Sequence, residues 1–373
     1  MQPKRRGSPL PSRVPKTAPE MKPDLSIALV CQSLRLDGGM GRYALDLIEG
    51  LNELGIRPTV YTKKIDERVC SGLSIDPVRI NCRPFPTKLR DYYFNFRVKR
   101  LIAQRSFDAV LSNIRFPGAT VTFCGGTHIG YLRGLGKTPS FFDRQAIKLE
   151  TQAYAESQIV VAHSKQMSRE VHDDYGISEK KALTIYPPIS TARFNPSPAD
   201  SEEIAAFRRE FKVPGNHTTF LIPAAGSPYY KGLDILQNFF ARTELPVTLL
   251  VAGRPVEETP NVRYIGFRKD MERVYKLVDY TILASRYEAF GLVAVESIAS
   301  GTPVVLSQTV YANEIIAPEA KILFDNADPK SLGKALQTAV SRRMRIADVG
   351  KMIAPKYTPR EHAEKVLAAI HLR

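Results

Sequence analysis

The sequence predicts an α/β protein built from two doubly wound parallel sheets that face each other across a cleft. Short apolar segments alternate with helical patterns along most of the chain, and this alternation restarts after a proline-rich stretch at residues 187–198. The chain of 373 residues is also longer than one typical hydrophobic core requires. Its apolar fraction of 43% supplies enough material for two cores.

The first half opens with a strand, a glycine-rich turn, a helix and a second strand, which is the first unit of a parallel sheet. We expect the first strand at residues 25–31, the turn at 37–41, a helix that ends at Gly55 and a strand from Pro58. Further strands are predicted at residues 109–112, 119–123, 159–162 and 183–186.

The second half repeats the same alternation after residues 187–198, where Pro187-Pro188 and Asn195-Pro196 indicate a domain boundary. Strands are predicted at residues 219–223, 247–252, 262–265, 280–284 and 303–306. Helices are predicted at residues 232–240, 271–277 and 292–299.

The net charge of +15 favours anionic partners, among them nucleic acid, an acidic membrane surface and a phosphorylated glycan. Residues 1–24 are basic and proline-rich, so we expect a disordered tail and no signal peptide. No apolar run approaches the roughly 20 residues of a membrane span. Four cysteines without close spacing (Cys31, Cys70, Cys82 and Cys124) favour free thiols in a reducing cytoplasm over disulfides or a zinc site.

The strongest chemical signal is the segment SRYEAFGLVAVE at residues 285–296. The predicted strand ends just before it, its loop carries Glu288, and a helix begins near Gly291. Backbone N–H groups at a helix start bind anions. Glu296 lies about 7–8 Å further along this helix, at 1.5 Å per residue. One carboxylate can therefore reach a sugar while the other reaches a more distant group.

A second signal follows the first strand of the second half, where a turn containing Gly226 and Ser227 leads to Lys231-Gly232 and a helix. A lysine at this place can neutralise the charge that develops on a departing diphosphate.

Two loops of the first half carry weaker signals. Gly38 and Gly39 allow the backbone to approach the cleft closely, but no acid follows the second strand before Asp66, so the turn fails as a dinucleotide fingerprint. His128 follows Gly125-Gly126-Thr127 and is the best candidate of the six histidines. No HExxH motif or close His/Asp/Glu cluster is present, so no metal is predicted.

With its Glu-x7-Glu segment, the Phe-Gly after the first Glu and Lys231-Gly232, the sequence resembles glycosyltransferase family 4 over about residues 25–370. The resemblance implies the GT-B fold and retaining transfer of a hexose from a nucleotide-sugar, with UDP as the expected nucleotide and no cofactor. It divides the chain into a tail (1–24), an acceptor-binding Rossmann-like domain (25–186), a nucleotide-sugar-binding Rossmann-like domain (187–356) and a C-terminal helix (357–373) that crosses back to the first domain.

The resemblance also implies roles for individual residues. Glu288, Lys231 and His128 would be catalytic, with Glu288 on the donor sugar, Lys231 on the diphosphate and His128 near the sugar or the acceptor. Glu296 would hold the donor ribose. The other donor-binding positions are Phe290, Gly291, Leu292, Gly226, Ser227, Phe267, Arg268, Gly38 and Gly39. Tyr230 stands where the family usually has an Arg close before the Lys, and Arg254 or Arg268 are candidates to replace that charge.

Within the family, the segments 124–128, 150–157 and 186–189 resemble lipopolysaccharide core glucosyltransferases of Gram-negative bacteria. The expected acceptor is accordingly an anionic glycan or glycolipid, either lipopolysaccharide core or another lipid-linked bacterial glycan. Two alternatives remain open: a nucleotide-sugar epimerase on the same fold, and a noncatalytic nucleotide-binding scaffold. The Glu-x7-Glu segment argues against the epimerase, and the missing Arg before Lys231 is what supports the scaffold.

Residues 83–105 are rich in basic and aromatic side chains. Helical spacing places Phe94, Val98, Leu101 and Ile102 on a core stripe. The opposite face carries Leu89, Tyr92 and Phe96, flanked by Lys88, Lys99 and Arg100. This combination is typical of binding at a membrane surface, and the alternative is a solvated helix whose aromatic residues pack on a neighbour. We expect a cytoplasmic protein held at the inner membrane by Tyr92, Phe96, Lys88, Lys99 and Arg100, and no nucleic-acid partner.

Overall fold

The computed structural model describes residues 25–35, 38–224, 227–342, 345–346 and 348–371, without the side chains of Lys88 and His371. The predicted tail at residues 1–24 lies outside this described part. Within it the chain forms two separate, entirely parallel sheets of seven and six strands, flanked by helices. The predicted α/β class with two doubly wound sheets is therefore confirmed.

The first sheet has the strand order β3-β2-β1-β4-β5-β6-β7. Its strands are β1 (Ile27–Leu34), β2 (Thr59–Ile65), β3 (Asp76–Arg79), β4 (Ala109–Ser112), β5 (Val121–Cys124), β6 (Ile159–Ala162) and β7 (Ala182–Thr184). Its helices are α1 (Gly39–Glu53), α2 (Glu67–Cys70), α3 (Arg90–Ile102), α4 (His128–Gly134), α5 (Phe141–Glu156) and α6 (Lys165–Tyr175). The strand order reverses between β1 and β4, which is where ligands bind in sheets of this kind.

The second sheet repeats this arrangement in the order β10-β9-β8-β11-β12-β13. Its strands are β8 (Thr218–Ala224), β9 (Val247–Gly253), β10 (Val262–Tyr264), β11 (Tyr280–Leu283), β12 (Val304–Ser307) and β13 (Lys321–Phe324). The later helices are α7 (Ser201–Glu210), α8 (Leu233–Phe240), α9 (Met271–Leu277), α10 (Leu292–Ala299), α11 (Pro329–Arg342), α12 (Val349–Met352) and α13 (Pro359–His371). Here the order reverses between β8 and β11.

Two strands, β3 and β13, are missing from the sequence prediction, and both lie at the edge of a sheet. Central parallel strands are covered on both faces and read as continuous apolar runs, as β6 (IVVA) does. The edge strand β3 (DPVR) is largely exposed instead, and Pro77 within it is compatible with an edge position.

The last helix returns to the first half of the chain, as the sequence predicts. Ala363, Val366 and Leu367 of α13 are buried in the same hydrophobic cluster as α1. Gly50 of α1 has to be glycine, because a Cβ atom there would lie 2.0 Å from the carbonyl oxygen of Pro359. The Tyr43 hydroxyl is also 2.8 Å from Nε2 of His362.

The basic and aromatic helix is shorter than predicted. Instead of covering residues 83–105, it consists of a 3-10 turn (Thr87–Leu89) followed by α3. Pro84 and Pro86 precede the turn, and the residue before a proline disfavours helical backbone. None of the helices in the described part of the chain combines the length and the apolar character that crossing a bilayer requires.

Candidate active site

The central feature of the second half is an ion pair at the point where its strand order reverses. The loop after β8 ends at Lys231, and the loop after β11 carries Glu288; the lysine Nζ donates to Oε2 of Glu288. The hydroxyl of Ser285 donates to the same oxygen at 3.1 Å. The structure therefore brings together two of the three predicted catalytic residues.

Two glycines allow these loops to come so close. Gly232 has a φ of +67°, and a Cβ atom there would lie 1.9 Å from the carbonyl oxygen of Ala284. Gly291, with a φ of +101°, immediately precedes α10, and its Cβ would meet Val310 at 2.8 Å. The amide groups at the start of α10 lack partners within the helix and are therefore available to an anion.

A cavity of about 270 Å³ lies beside the ion pair, and both halves of the chain line it. From the second half it receives Tyr230, Lys231, Glu288, Phe290, Gly291 and Leu292. From the first half it receives Gly39, Met40, Tyr43, Gly125 and His163. We call this space the donor cavity.

Glu296 lies on α10 and accepts a hydrogen bond from the Tyr275 hydroxyl at 3.1 Å. Burial raises the pKa of Glu296, while the charge of Arg42 and the Tyr275 hydroxyl act in the opposite direction. Arg42 comes from α1, where its Nε donates to Oδ1 of Asp46 at 2.9 Å. Burial also raises the pKa of Asp46 to about 6, although the positive charge of Arg42 acts to lower it. A cation of the first half thus offsets two carboxylates, the buried Asp46 of its own half and the half-buried Glu296 of the other.

The remaining predicted donor residues are distributed around this centre. Gly38 precedes α1 and Gly39 begins it, while the carbonyl of Ser227 accepts the backbone N–H of Lys231 at 3.1 Å. The ring of Phe267 is 62% exposed, and Arg268 is paired with Asp270 at 2.7 Å. Gly226 lies outside the described residues.

The two arginines considered as a replacement for the missing cation differ in environment. Arg268 is already engaged with Asp270. Arg254 follows β9, is exposed, and forms no ion pair with any residue of the described ranges. Arg254 is consequently the one of the two whose charge is not already matched by a neighbouring carboxylate.

His128 is not among the residues that line the donor cavity together with Lys231 and Glu288. Its Nδ1 accepts from Arg115 at 3.2 Å, so the proton resides on Nε2, which donates to Oδ1 of Asp143 at 2.8 Å. The Ser140 hydroxyl and then His128 lower the pKa of Asp143 to about 2. The histidine thus lies on the first-half side, at the start of α4.

Sequence reasoning missed two further residues: Tyr287, which joins the halves, and His163, which lines the donor cavity. Tyr287, next to Glu288, accepts the backbone N–H of Thr127 at 2.9 Å and donates to Glu170 at 2.9 Å. His163 lines the donor cavity, and its Nε2 is buried without a hydrogen-bond partner among the described residues. Burial lowers the pKa of His163 to about 3. The aromatic residue beside the motif glutamate was the available signal for Tyr287, whereas nothing in the sequence marks His163.

Known proteins of similar sequence and structure identify this arrangement. The family model described as Glycosyltransferase Family 4 matches residues 37–193, and the model Glycosyl transferases group 1 matches residues 218–342. The chain is 38% identical over 319 residues to a probable transglycosylase of Burkholderia thailandensis, covering 85% of this chain and 87% of that protein. It is 27% identical to a D-inositol 3-phosphate glycosyltransferase of Salinispora tropica, over 52% of this chain and 47% of that protein.

Solved structures agree at the level of the fold. WaaG, a glycosyltransferase involved in lipopolysaccharide biosynthesis, superposes with a TM-score of 0.72 at 15% identity, over 93% of this chain and 95% of that chain. HepE of Anabaena, in complex with UDP and glucose, superposes with a TM-score of 0.67 at 17% identity. The superposition covers 94% of this chain and 98% of that chain.

The two parallel sheets, with the motif residues at their carboxyl edges, have the GT-B fold. The matching family models show that the protein is a glycosyltransferase. The chain belongs to glycosyltransferase family 4.

Proposed function

We propose that the protein is a retaining glycosyltransferase that moves a hexose from a nucleotide-sugar, with UDP as the nucleotide, to a hydroxyl of a glycan. The observation that carries this proposal is the Lys231–Glu288 ion pair beside the start of α10, where the second sheet changes strand order. A cation, a carboxylate and free helix-start amides at one place suit a donor that carries both a diphosphate and a sugar.

In this proposal the diphosphate lies against the amides of residues 290–292 and Lys231, which stabilise the charge that grows as the bond to the sugar breaks. Glu288 accepts hydrogen bonds from the sugar hydroxyls. Glu296, oriented by Tyr275, accepts those of the ribose. The loops that carry Ser227, Gly226, Phe267 and Arg268 border the nucleotide, and Gly38 and Gly39 close the opposite side.

Retention is taken from the family resemblance, and the composition of the donor cavity bears on the route by which it would occur. A double-displacement mechanism needs a carboxylate nucleophile on the far side of the sugar. Among the described residues, the first half contributes glycines, Met40, Tyr43 and His163 to the cavity and no carboxylate. Attack from the same face, with the donor phosphate receiving the acceptor proton, fits this lining, and His128 acts on the acceptor side.

We further propose that residues 25–186 bind the acceptor, that residues 187–356 bind the donor, and that the acceptor is lipopolysaccharide core or another lipid-linked glycan. The exposed face of α3 supports binding at a membrane surface, because its aromatic side chains Tyr92 and Phe96 are 46% and 56% exposed. Arg100 lies over the Phe96 ring at 5.6 Å, and Lys99 is 3.7 Å from Glu156. The side chain of Lys88 lies outside the described part of the structure. We call Tyr92, Phe96, Lys88, Lys99 and Arg100 the α3 patch.

The test is a panel of UDP-, GDP- and ADP-hexoses, first by thermal shift, because a bound ligand stabilises the folded state. Donors that bind are then incubated with and without truncated lipopolysaccharide, and free nucleotide is measured. We expect one UDP-hexose to raise the melting temperature most and to release UDP faster with acceptor. An epimerase would change the sugar without releasing nucleotide, and a scaffold would bind without turnover; either result contradicts the proposal.

A further inference from the structure

The loop after β11 is attached to the rest of the protein at three consecutive residues. The guanidinium of Arg286 donates to the two carboxylate oxygens of Asp234 at 2.7 and 2.8 Å. Glu288 accepts from Lys231. Both of these contacts lie within the second half of the chain, whereas Tyr287, between them, contacts the first half. The place of Glu288 is thus linked to both halves.

The hydroxyl of Tyr287 lies at the centre of a buried hydrogen-bonded group. It accepts the backbone N–H of Thr127 at 2.9 Å and donates to Oε2 of Glu170 at 2.9 Å. The Thr127 hydroxyl donates to the same carboxylate oxygen at 2.6 Å. All three residues are at most 5% exposed. A buried polar group whose members satisfy one another is rigid, so these contacts hold one arrangement.

The contact with Thr127 fixes the start of α4. Thr127 is the N-cap of this helix, and its Oγ1 accepts the backbone N–H of Gly130 at 3.0 Å. His128, the first residue of α4, follows Thr127 directly, just as Glu288 follows Tyr287. Consecutive Cα atoms are about 3.8 Å apart, so a displacement of either partner is passed on to its neighbour. One hydroxyl therefore sets the relation between the His128 end of α4 and the Glu288 loop.

Two glycines of α4 leave the space that Tyr287 occupies. A Cβ atom at Gly130 would lie 2.8 Å from the Tyr287 ring and 2.2 Å from Oε2 of Glu170. At Gly134 it would lie 2.7 Å from Cβ of Tyr287 and 3.0 Å from the carbonyl oxygen of Arg286. Residues four apart lie on the same face of a helix. This face of α4 is accordingly shaped for close packing against the loop that carries Glu288.

We infer that Tyr287 is a positioning residue of the proposed transfer, and that its hydroxyl keeps the start of α4, with His128, in a fixed arrangement with Glu288. The inference rests on the proposed function, in which His128 acts on the acceptor side and Glu288 binds the donor sugar. The hydroxyl is engaged by Thr127 and Glu170, so it acts through them. Its loss should lower the rate, because a displacement of about 1 Å between reacting groups can cost about 10²-fold.

The central variant is Tyr287→Phe, which keeps the ring against α4 and removes the hydroxyl. The matched control is Tyr186→Phe. The Tyr186 hydroxyl donates to Glu314 at 3.1 Å, so the control also loses a Tyr–Glu hydrogen bond between the two halves, but one in which α4 takes no part. Two variants test the partner: Glu170→Gln keeps an oxygen that accepts from both hydroxyls, and Glu170→Met removes it at similar side-chain length.

Kinetics are measured on the whole chain with a UDP-hexose and truncated lipopolysaccharide. We expect kcat to fall about 10- to 100-fold in Tyr287→Phe and in Glu170→Met. The KM for the donor and the calorimetric affinity for UDP should stay close to the wild type, since the lost contact serves the transition state. Glu170→Gln and Tyr186→Phe should keep the wild-type kcat. If Tyr287→Phe does not fold, Glu170→Met against Glu170→Gln carries the comparison.

Hydrogen exchange followed by mass spectrometry adds a measurement that does not depend on activity. In the chain saturated with UDP, peptides that cover residues 127–134 and 285–292 should exchange faster in Tyr287→Phe, because the Thr127 amide loses its acceptor and both segments loosen. Peptides from β9 in the second sheet should be unchanged. Tyr186→Phe should leave the peptides 127–134 and 285–292 as they are in the wild type.

An unchanged kcat in Tyr287→Phe would overturn the positioning role, and so would a raised KM with the wild-type kcat. An equal loss of kcat in Tyr287→Phe and Tyr186→Phe would also overturn it, because any contact between the halves would then have the same effect. A wild type that turns over no hexose donor contradicts the proposed function and the positioning role with it. A fully active Tyr287→Phe contradicts the positioning role alone, so the two failures are distinguishable.

Discussion

Lys231 and Glu288 are 57 positions apart in the chain, yet they form an ion pair between the loops that follow the neighbouring strands β8 and β11. The Ser285 hydroxyl fixes the same carboxylate oxygen, and the side chains of the pair are only 23% and 14% exposed. The cation that we assign to the diphosphate is thus held in place before any donor arrives, which reduces the reorganisation needed during the reaction.

Replacing Lys231 by Ala should lower turnover more than it weakens donor binding, because the charge it neutralises grows as the diphosphate leaves. Removing one such stabilising group typically lowers kcat by about 10²- to 10³-fold. Steady-state kinetics and calorimetry with the same UDP-hexose separate the two effects. Lys330→Ala, on the exposed start of α11, is the control. A raised KM with an unchanged kcat would contradict this role, because it would show that Lys231 binds the donor without stabilising the transition state.

Replacing Glu296 by Ala should leave the fold intact and weaken UDP binding by roughly 1.5–3 kcal/mol, the range for hydrogen bonds to a charged group. The proposed cause is loss of the ribose contact. Tyr275→Phe, which removes only the hydroxyl that donates to Glu296, should weaken UDP binding less. Isothermal titration calorimetry measures both values, and an unchanged affinity in Glu296→Ala would refute the ribose assignment.

Protonation of His362 should contribute to acid destabilisation. Its Nδ1 donates to the carbonyl of Tyr186 at 3.0 Å, so Nε2 accepts from Tyr43 and the ring is neutral. Burial lowers the pKa of His362 from 6.5 to about 4. The unfolded chain therefore binds an extra proton between these values. The contribution of His362 to the free energy of unfolding is therefore fully present above pH 6.5. It falls by up to about 1.4 kcal/mol per pH unit as the pH drops towards 4.

The variant His362→Gln should accordingly be less stable at pH 7 but lose less stability between pH 7 and pH 5 than the wild type. Urea unfolding at the two pH values measures the difference. His172→Gln, at an exposed position of α6, should behave like the wild type. Identical pH dependence in wild type and His362→Gln would contradict the prediction.

The α3 patch should bind anionic vesicles. Glu substitutions at Lys88, Lys99 and Arg100 should release the protein, since each basic residue near an acidic surface contributes about 1 kcal/mol. Added salt should have the same effect by screening. The activity on a short soluble acceptor should persist, because α3 contributes none of the described residues that line the donor cavity.

Vesicle sedimentation is the measurement, with a charge-matched control in which Arg242, Lys330 and Lys334 are changed to Glu. These three basic residues are exposed in the second half of the chain. Equal binding to neutral and anionic vesicles, or equal release by both triple variants, would refute an electrostatic anchor at α3.

Much of the fold is predictable because buried parallel strands appear in the sequence as continuous runs of apolar residues. The predicted bounds of β4, β6, α9 and α10 coincide with the structure. The edge strand β3 and the late start of α3 escaped prediction, since exposed strands lack this signal and short turns before a helix depend on local proline positions.

The site was predictable only where its residues share one segment. Glu288, Gly291 and Glu296 are close in sequence and their spacing indicates their joint position. The charge of Arg42 acts on Glu296 from the other half of the chain, and no local pattern encodes this relationship.

Retaining transfer is tested most directly by following donor cleavage by ¹H NMR in the absence of acceptor, using the UDP-α-hexose that stabilises the protein most. Water then replaces the glycan hydroxyl, and the first hexose released reports the stereochemistry before it mutarotates. A retaining enzyme should release UDP together with the α-hexose, and Lys231→Ala should strongly reduce this release. Initial release of the β-hexose, or no release of UDP with any donor even when truncated lipopolysaccharide is added, would contradict retaining transfer.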